Sequence, residues 1–289
     1  MQWVLISLVS CAMFVASATT AAHDIEVISD GHSFTEGPLW HDGELWFSDI
    51  PTSTIYRWHP ERGSSIAVRP SSGANGLALD TQNRLLMAQH QARRIARLNS
   101  DGTQTSLASH FQGKRLNSPN DLVVADNGAI YFTDPPFAVS EEEQELDFAG
   151  VFKISNAGEL IVLDDALARP NGIILSPDAT TLYVTDAYQW QIFAYDVTPE
   201  GVANKRLFAE LEGTYEQGMD GMAVAQDGTL YVAGPQGIYA YSAQGKLLEL
   251  IELPDFTANV ALVETDNRVL YVTNQTEVLK ISLSANDTD

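Results

Sequence analysis

Six side chains in this sequence stand in equivalent places and share one chemistry: Glu36, Asn75, Asn120, Asn171, Asp220 and Asn259. Each offers a side-chain oxygen, and none offers sulfur or imidazole. Carboxylate and amide oxygens suit hard cations such as Ca²⁺, Mg²⁺ or Mn²⁺, and Zn²⁺ also accepts them. Glu36 and Asp220 together match the charge of one divalent ion, while the amides add dipoles without excess negative charge. Taken singly, Asn and Asp often just start strands and close Asx turns. Six in register, two of them acids, point instead to a ring of oxygen donors.

The register comes from six segments built on one plan. They are "EGPLWHDGELWFSD", "NGLALDTQNRLLMAQ", "NDLVVADNGAIYFTD", "NGIILSPDATTLYVTD", "DGMAVAQDGTLYVAG" and "NVALVETDNRVLYVTN". Each runs from the polar residue through an apolar strand and a turn to a second strand of aromatic and β-branched residues. Third strands follow in "TIYRW", "RIARL", "GVFKI", "QIFAYDV", "GIYAYS" and "EVLKISL". The leading residues recur every 39 to 51 positions, the period of four-stranded propeller blades, and no stretch sustains a helical period. The fold predicted is all-β, a six-bladed β-propeller. Too little chain follows "EVLKISLS" for a last strand, so "DIEVISDG" (24–31) is expected to close the final blade and cover its edge. In such a ring the first strand of each blade lines the central channel, which would bring the six leading residues together at one mouth.

Of 289 residues 45% are hydrophobic, enough for one large core across residues 23–289. The formal net charge of −22 repels phosphates and anionic lipid, so nucleic acid is not an expected partner. Residues 1–22 carry no charged side chain and run from an apolar stretch into small residues, the pattern of a secretory signal peptide. An uncleaved anchor is the competing reading, because the apolar run approaches the length of a bilayer span. If the segment is cut, the mature chain is exported to the periplasm or the medium without stable membrane insertion. Cys11, the sole cysteine, would leave with it, excluding disulfides and thiolate chemistry.

The sequence resembles the senescence marker protein / gluconolactonase / luciferin-regenerating enzyme family of six-bladed propellers, over about residues 31–283. The resemblance is carried by "TEGPLWHDGELWFSDI", "QHQARRIAR", "RLNSPNDLVVADNGAIYFTDPPF", "RPNGIILSPDATTLYVTD" and "GMDGMAVAQDGTLYVAG". The "SPND…YFTDPP" form looks like the bacterial gluconolactonase branch. This resemblance implies one divalent metal at the channel mouth, Ca²⁺ first, with Zn²⁺, Mg²⁺ or Mn²⁺ as alternatives. Its ligands by motif position would be Glu36, Asn171 and Asp220, with Asn120 a fourth ligand or a substrate contact. It also implies hydrolysis of a small sugar lactone. Animal members carry Arg two positions ahead of the residue matching Asn120; here that place is Ser118, and Arg115 lies further upstream. The cation that would orient substrate is therefore not where the family has it.

On this reading Asp220 is both metal ligand and general base for the attacking water, and Asn120, His90 and Asn75 are the substrate contacts. His90 is equally open to a structural role. Arg93 and Arg94 are candidates for a sugar hydroxyl or carboxylate, unless a neighbouring acid takes them. Asp49, Asp134, Asp186 and Asn274 end the second strands at equivalent positions, where turn bonding accounts for them. Phe34 and Tyr215 are candidate rim aromatics. The acidic stretch 140–150 is expected as a solvated loop, with a gating lid as the alternative. Serine-hydrolase and nucleotide-binding motifs are missing. The alternatives to a lactonase are an esterase or organophosphate hydrolase using the same ring, or a non-catalytic binding propeller.

Overall fold

The computed structural model describes residues 23–283; the leader reading of residues 1–22 lies outside them. Six antiparallel sheets of four strands each form the blades of a six-bladed β-propeller. Blade one comprises Thr35–His41, Glu44–Asp49, Thr54–His59 and Gly63–Val68, and blade two Ala74–Leu79, Leu85–Gln89, Arg94–Leu98 and Gln104–Ala108. Blade three is Leu122–Val124, Ile130–Asp134, Gly150–Ile154 and Leu160–Asp164, and blade four Pro170–Leu175, Thr181–Asp186, Gln191–Val197 and Val202–Glu210. Blade five is Met222–Val224, Leu230–Gly234, Gly237–Tyr241 and Leu247–Glu252. Thr257–Glu264, Arg268–Asn274 and Glu277–Leu283 make three strands of blade six, and Asp24–Ser29 adds the fourth, antiparallel to Glu277–Leu283. The first described strand thus covers the edge that the last would expose. The only helical turn among the described residues is the 3₁₀ stretch Ala187–Gln189, and no helix there is long and apolar enough to cross a membrane.

The core is divided among the seams between blades. Leu45, Phe47 and Trp58 of blade one pack with Tyr271 and Val278 of blade six. Leu86, Ile95, Phe132 and Phe152 join blades two and three. Tyr131, Val151, Leu182 and Val184 do so for three and four. Aromatic stacking adds to this packing: Trp40 of blade one lies on Tyr271 of blade six at 4.8 Å between ring centres, and within blade three Phe132 lies on Phe152 at 5.3 Å. Burying such a side chain is worth roughly 1.5–3 kcal/mol, so each seam is an apolar joint and the channel is free to be polar at its mouth.

Candidate functional site: the mouth of the central channel

Each leading residue sits where its blade's inner ladder is irregular. Pairing slips between Glu36 and Leu39, Ala74 and Leu77, Pro170 and Ile173, and Thr257 and Asn259. In blades three and five regular pairing begins two residues after Asn120 and Asp220. Irregularities of this kind re-aim a side chain out of the sheet's alternation. Here they gather all six residues at the channel mouth, each no more than 7% exposed.

Glycine makes the convergence possible. Gly37, Gly76, Gly172 and Gly221 each follow a leading residue. A Cβ on Gly37 would lie 2.1 Å from the Asn75 carbonyl oxygen, and one on Gly172 would lie 2.3 Å from that of Asp220. The backbones of neighbouring blades touch there, and no side chain fits. In blade three this slot holds Asp121 instead of glycine, so a third carboxylate enters the channel. Sequence reasoning assigned Asp121 no role, although an acid in a position that four other blades fill with glycine was the signal for it.

The ring is hydrogen-bonded in two arcs. In one, Asn75 Nδ2 donates to Asn120 Oδ1 at 2.6 Å, and Asn120 Nδ2 donates to Asn171 Oδ1. In the other, Asn259 Nδ2 donates to Glu36 Oε2 at 3.0 Å, and the Gly37 N–H donates to the same oxygen at 2.8 Å. His90 joins the first arc, its Nε2 3.0 Å from Asn120 Oδ1 and 3.1 Å from Asn75 Nδ2. With the ring proton on Nε2 it donates to Asn120; the other tautomer accepts from Asn75.

Electrostatics sets the two acids apart from the amides. Burial pushes the Glu36 carboxyl up to about 7, with Asp121 adding repulsion, and raises Asp121 itself to about 6. Asp220 is held well above the ordinary carboxylate range by burial first, then by the charges of Glu36 and Asp121. Among the described residues Asp220 Oδ1 is buried and finds no hydrogen-bond partner. Burial lowers His90 to about 4, so its imidazole is neutral near pH 7. Clustered carboxylates with no salt-bridged cation among the described residues and one orphaned oxygen are an unfavourable arrangement unless something positive joins them. A hard divalent cation fits that requirement, and Glu36, Asn171 and Asp220 supply oxygen donors for it. No cluster of three or more His, Cys, Asp or Glu side chains arranged for a metal occurs among the described residues; the third donor of this set is an amide.

Other expected residues find structural partners. Asp49 accepts the backbone N–H groups of Ser33 and Phe34, Asp134 that of Asn117, and Asp186 those of Ala168 and Arg169. Thr257 Oγ1 donates to Asn274 Oδ1. These second-strand ends pin the loops that deliver the leading residues. Arg93 donates to the carbonyls of Leu116 and Glu143, and Arg94 to Gln89 and Gln104, so both serve the scaffold. Ser118 Oγ donates to the Pro135 carbonyl at 2.6 Å and is fully buried. Stretch 140–150 is more than a solvated loop, since Leu146 packs into the seam between blades two and three. Phe34 meets Phe256, and Tyr215 meets Trp190, in pairs across neighbouring loops. At the same end Phe137 and Tyr188 contact edge to face and remain exposed. Below the ring lies a cavity of about 360 Å³, lined by Leu39, Leu77, Ile173 and Leu262 together with Asp121 and Asn259.

Comparison with known proteins agrees with this architecture. Residues 34–276 match the SMP-30/Gluconolactonase/LRE-like region. A gluconolactonase of Zymomonas mobilis is 34% identical over 255 residues, covering 78% of this chain and 72% of its own. The diisopropyl-fluorophosphatase of Loligo vulgaris is 27% identical over 144 residues, 46% of either chain. Among solved structures, a gluconolactonase from Xanthomonas campestris superposes with a TM-score of 0.82 at 30% identity, covering 91% of this chain and 90% of that one. With its sixfold ring, its glycine-spaced channel mouth and these likenesses, the chain belongs to the SMP-30/gluconolactonase/LRE-like family.

Proposed function

We propose that this protein is a divalent-cation-dependent hydrolase of small sugar lactones, with gluconolactone as the type substrate. The observation that carries the reading is the unpartnered, buried Asp220 Oδ1 in a ring that also holds Glu36 and four amides. Similarity to two gluconolactonases supports the substrate class. Glu36, Asn171 and Asp220 would hold the cation, Ca²⁺ before Zn²⁺, Mg²⁺ or Mn²⁺, since every donor is a hard oxygen. Such an ion supplies Lewis acidity, polarising a carbonyl and lowering the pKa of water.

The protein's own groups divide the remaining work. Asp220 Oδ1, without a donor among the described residues, takes the proton of the attacking water as general base. Water adds to the lactone carbonyl carbon, the ring C–O bond breaks, and the proton passes to the leaving oxygen to give an open hydroxy acid. Asn120 and Asn75 present amide groups to the substrate. His90, neutral and hydrogen-bonded among them, orients Asn120 rather than carrying a proton through the cycle.

A pH-indicator assay over a lactone panel, with and without chelator, tests this. Acid release that chelator stops and Ca²⁺ restores is expected; no chelator-sensitive release from any lactone leaves the non-catalytic binding reading. Likeness to diisopropyl-fluorophosphatase favours a second reading, hydrolysis of a phosphofluoridate at the same ring, so that substrate belongs in the panel. The same proposal takes residues 1–22 as a cleaved leader of an exported protein, which N-terminal sequencing of the mature chain would check.

A further inference from the structure

We infer that Asn259 is a positioning residue for Glu36, holding that carboxylate in place across the seam where the ring closes. The inference rests on the proposed function, because it concerns how Glu36 is prepared for a cation. Nothing in the family resemblance assigned Asn259 a task.

The amide's orientation is fixed by the chain itself. Val260 N–H donates to Asn259 Oδ1 at 2.8 Å, so the NH₂ end must point the other way, into the channel. There Nδ2 donates to Glu36 Oε2 at 3.0 Å, between residues 223 positions apart. Oε2 also accepts the Gly37 N–H. One carboxylate oxygen is thus committed to two chain donors, while Oε1 takes none among the described residues and is left for an outside partner. Water in its place would satisfy Glu36 without fixing its position.

A second feature points the same way. A Cβ on Gly221 would lie 1.9 Å from Asn259 Oδ1, 2.0 Å from its Cγ and 2.4 Å from its Nδ2. The amide lies flat against that glycine, one residue beyond Asp220. Likewise a Cβ on Gly76 would lie 2.6 Å from Asp121 Oδ1. Both groups beside Glu36 depend on neighbouring glycines to keep their places, as expected of a preorganised support.

Asn259→Leu keeps the side chain's size and removes its donor; Gly221→Ala leaves the donor and displaces it. Ca²⁺, Mg²⁺, Mn²⁺ and Zn²⁺ are titrated in turn into chelator-stripped protein by calorimetry, beside melting curves in chelator. Cation affinity is expected to fall about tenfold or more in Asn259→Leu, the range for lost support of a ligand, while the chelated melting temperature falls only by the cost of the unsatisfied Val260 N–H. Gly221→Ala should weaken binding similarly where it folds, and the double variant should bind no worse than the poorer single one. A merely structural Asn259 would shift the melting curve and leave affinity alone. A folded Asn259→Leu chain that binds within twofold of the parent overturns the inference and spares the proposed function. A parent chain that takes up none of the four ions overturns both.

Discussion

The Thr133 hydroxyl donates to the Asn171 carbonyl oxygen at 2.6 Å, so the second strand of blade three holds the leading residue of blade four. Ser48 does the same for Asn75 at 2.7 Å, and Thr185 for Asp220 at 3.1 Å. All three hydroxyls come one residue before the aspartate that ends the strand. The Ser/Thr-Asp pair therefore works in two directions, its hydroxyl reaching the next blade and its carboxylate pinning the loop of its own.

Replacing Thr133 or Thr185 by Val keeps the shape and removes that donor from a buried carbonyl. Each change should cost about 1–3 kcal/mol, and turnover should fall with it because Asn171 or Asp220 loses its anchor. Thermal melting and lactone kinetics read the two effects. Variants that melt and turn over like the parent would show that the seams hold without these bonds.

Gly172→Ala places a Cβ 2.3 Å from the Asp220 carbonyl oxygen and 2.8 Å from the Gly221 Cα. Backbone cannot step aside as a side chain can, so a loss of about 3 kcal/mol is expected. Gly158→Ala is the contrast: its φ is +81° with nothing within 4 Å, and strain alone should cost about 1 kcal/mol. Denaturant unfolding compares them, and equal losses would disprove crowding between blades.

Asp220→Asn and Glu36→Gln should each lower turnover by about a thousandfold or more, within the range for losing a general base or a metal's chemistry. In chelator both variants should melt at or above the parent temperature, since each removes a buried, mutually repelled carboxylate. A fully active, cation-loaded Asp220→Asn enzyme would discard the assignment.

Asp134 supplies a pH test away from the ring. Burial pushes its carboxyl up to about 8 from an ordinary 3.8, against the pull of the Asn117 N–H and the Arg93 charge. Between those values the folded chain keeps a proton that the unfolded chain releases. The contribution is therefore complete below about pH 4 and is lost as pH rises through about 8, by at most about 1.4 kcal/mol per unit. Asp134→Asn, neutral throughout, should match the parent near pH 4 and melt at or above it near pH 8.5. Parallel melting profiles for the two chains would show that Asp134 is charged in the fold.

Much of the site was legible because repetition exposes it. Glu36, Asn75, Asn120, Asn171, Asp220 and Asn259 were found by aligning the chain against itself, and Asp24–Ser29 was placed in blade six by the closure a ring demands. Asp121 was passed over because a lone acid beside Asn120 reads as loop chemistry until glycine is seen in the matching slots. Leu146 could not be placed because no repeat accompanies it; an acidic stretch gives no sign that one leucine turns inward.

The sequence by itself determined the strand pattern, the sixfold repeat and the donor type at each leading position. These are local properties: alternation, turn residues and spacing are written along the chain. Only the tertiary structure decided that Asn259 of the sixth blade bonds Glu36 of the first, that Asp220 Oδ1 is left without a partner among the described residues, and that Arg93 and Ser118 serve the scaffold. Those outcomes depend on which backbones approach closely when the ring closes. Such distances arise between residues far apart in the chain, where no local pattern records them.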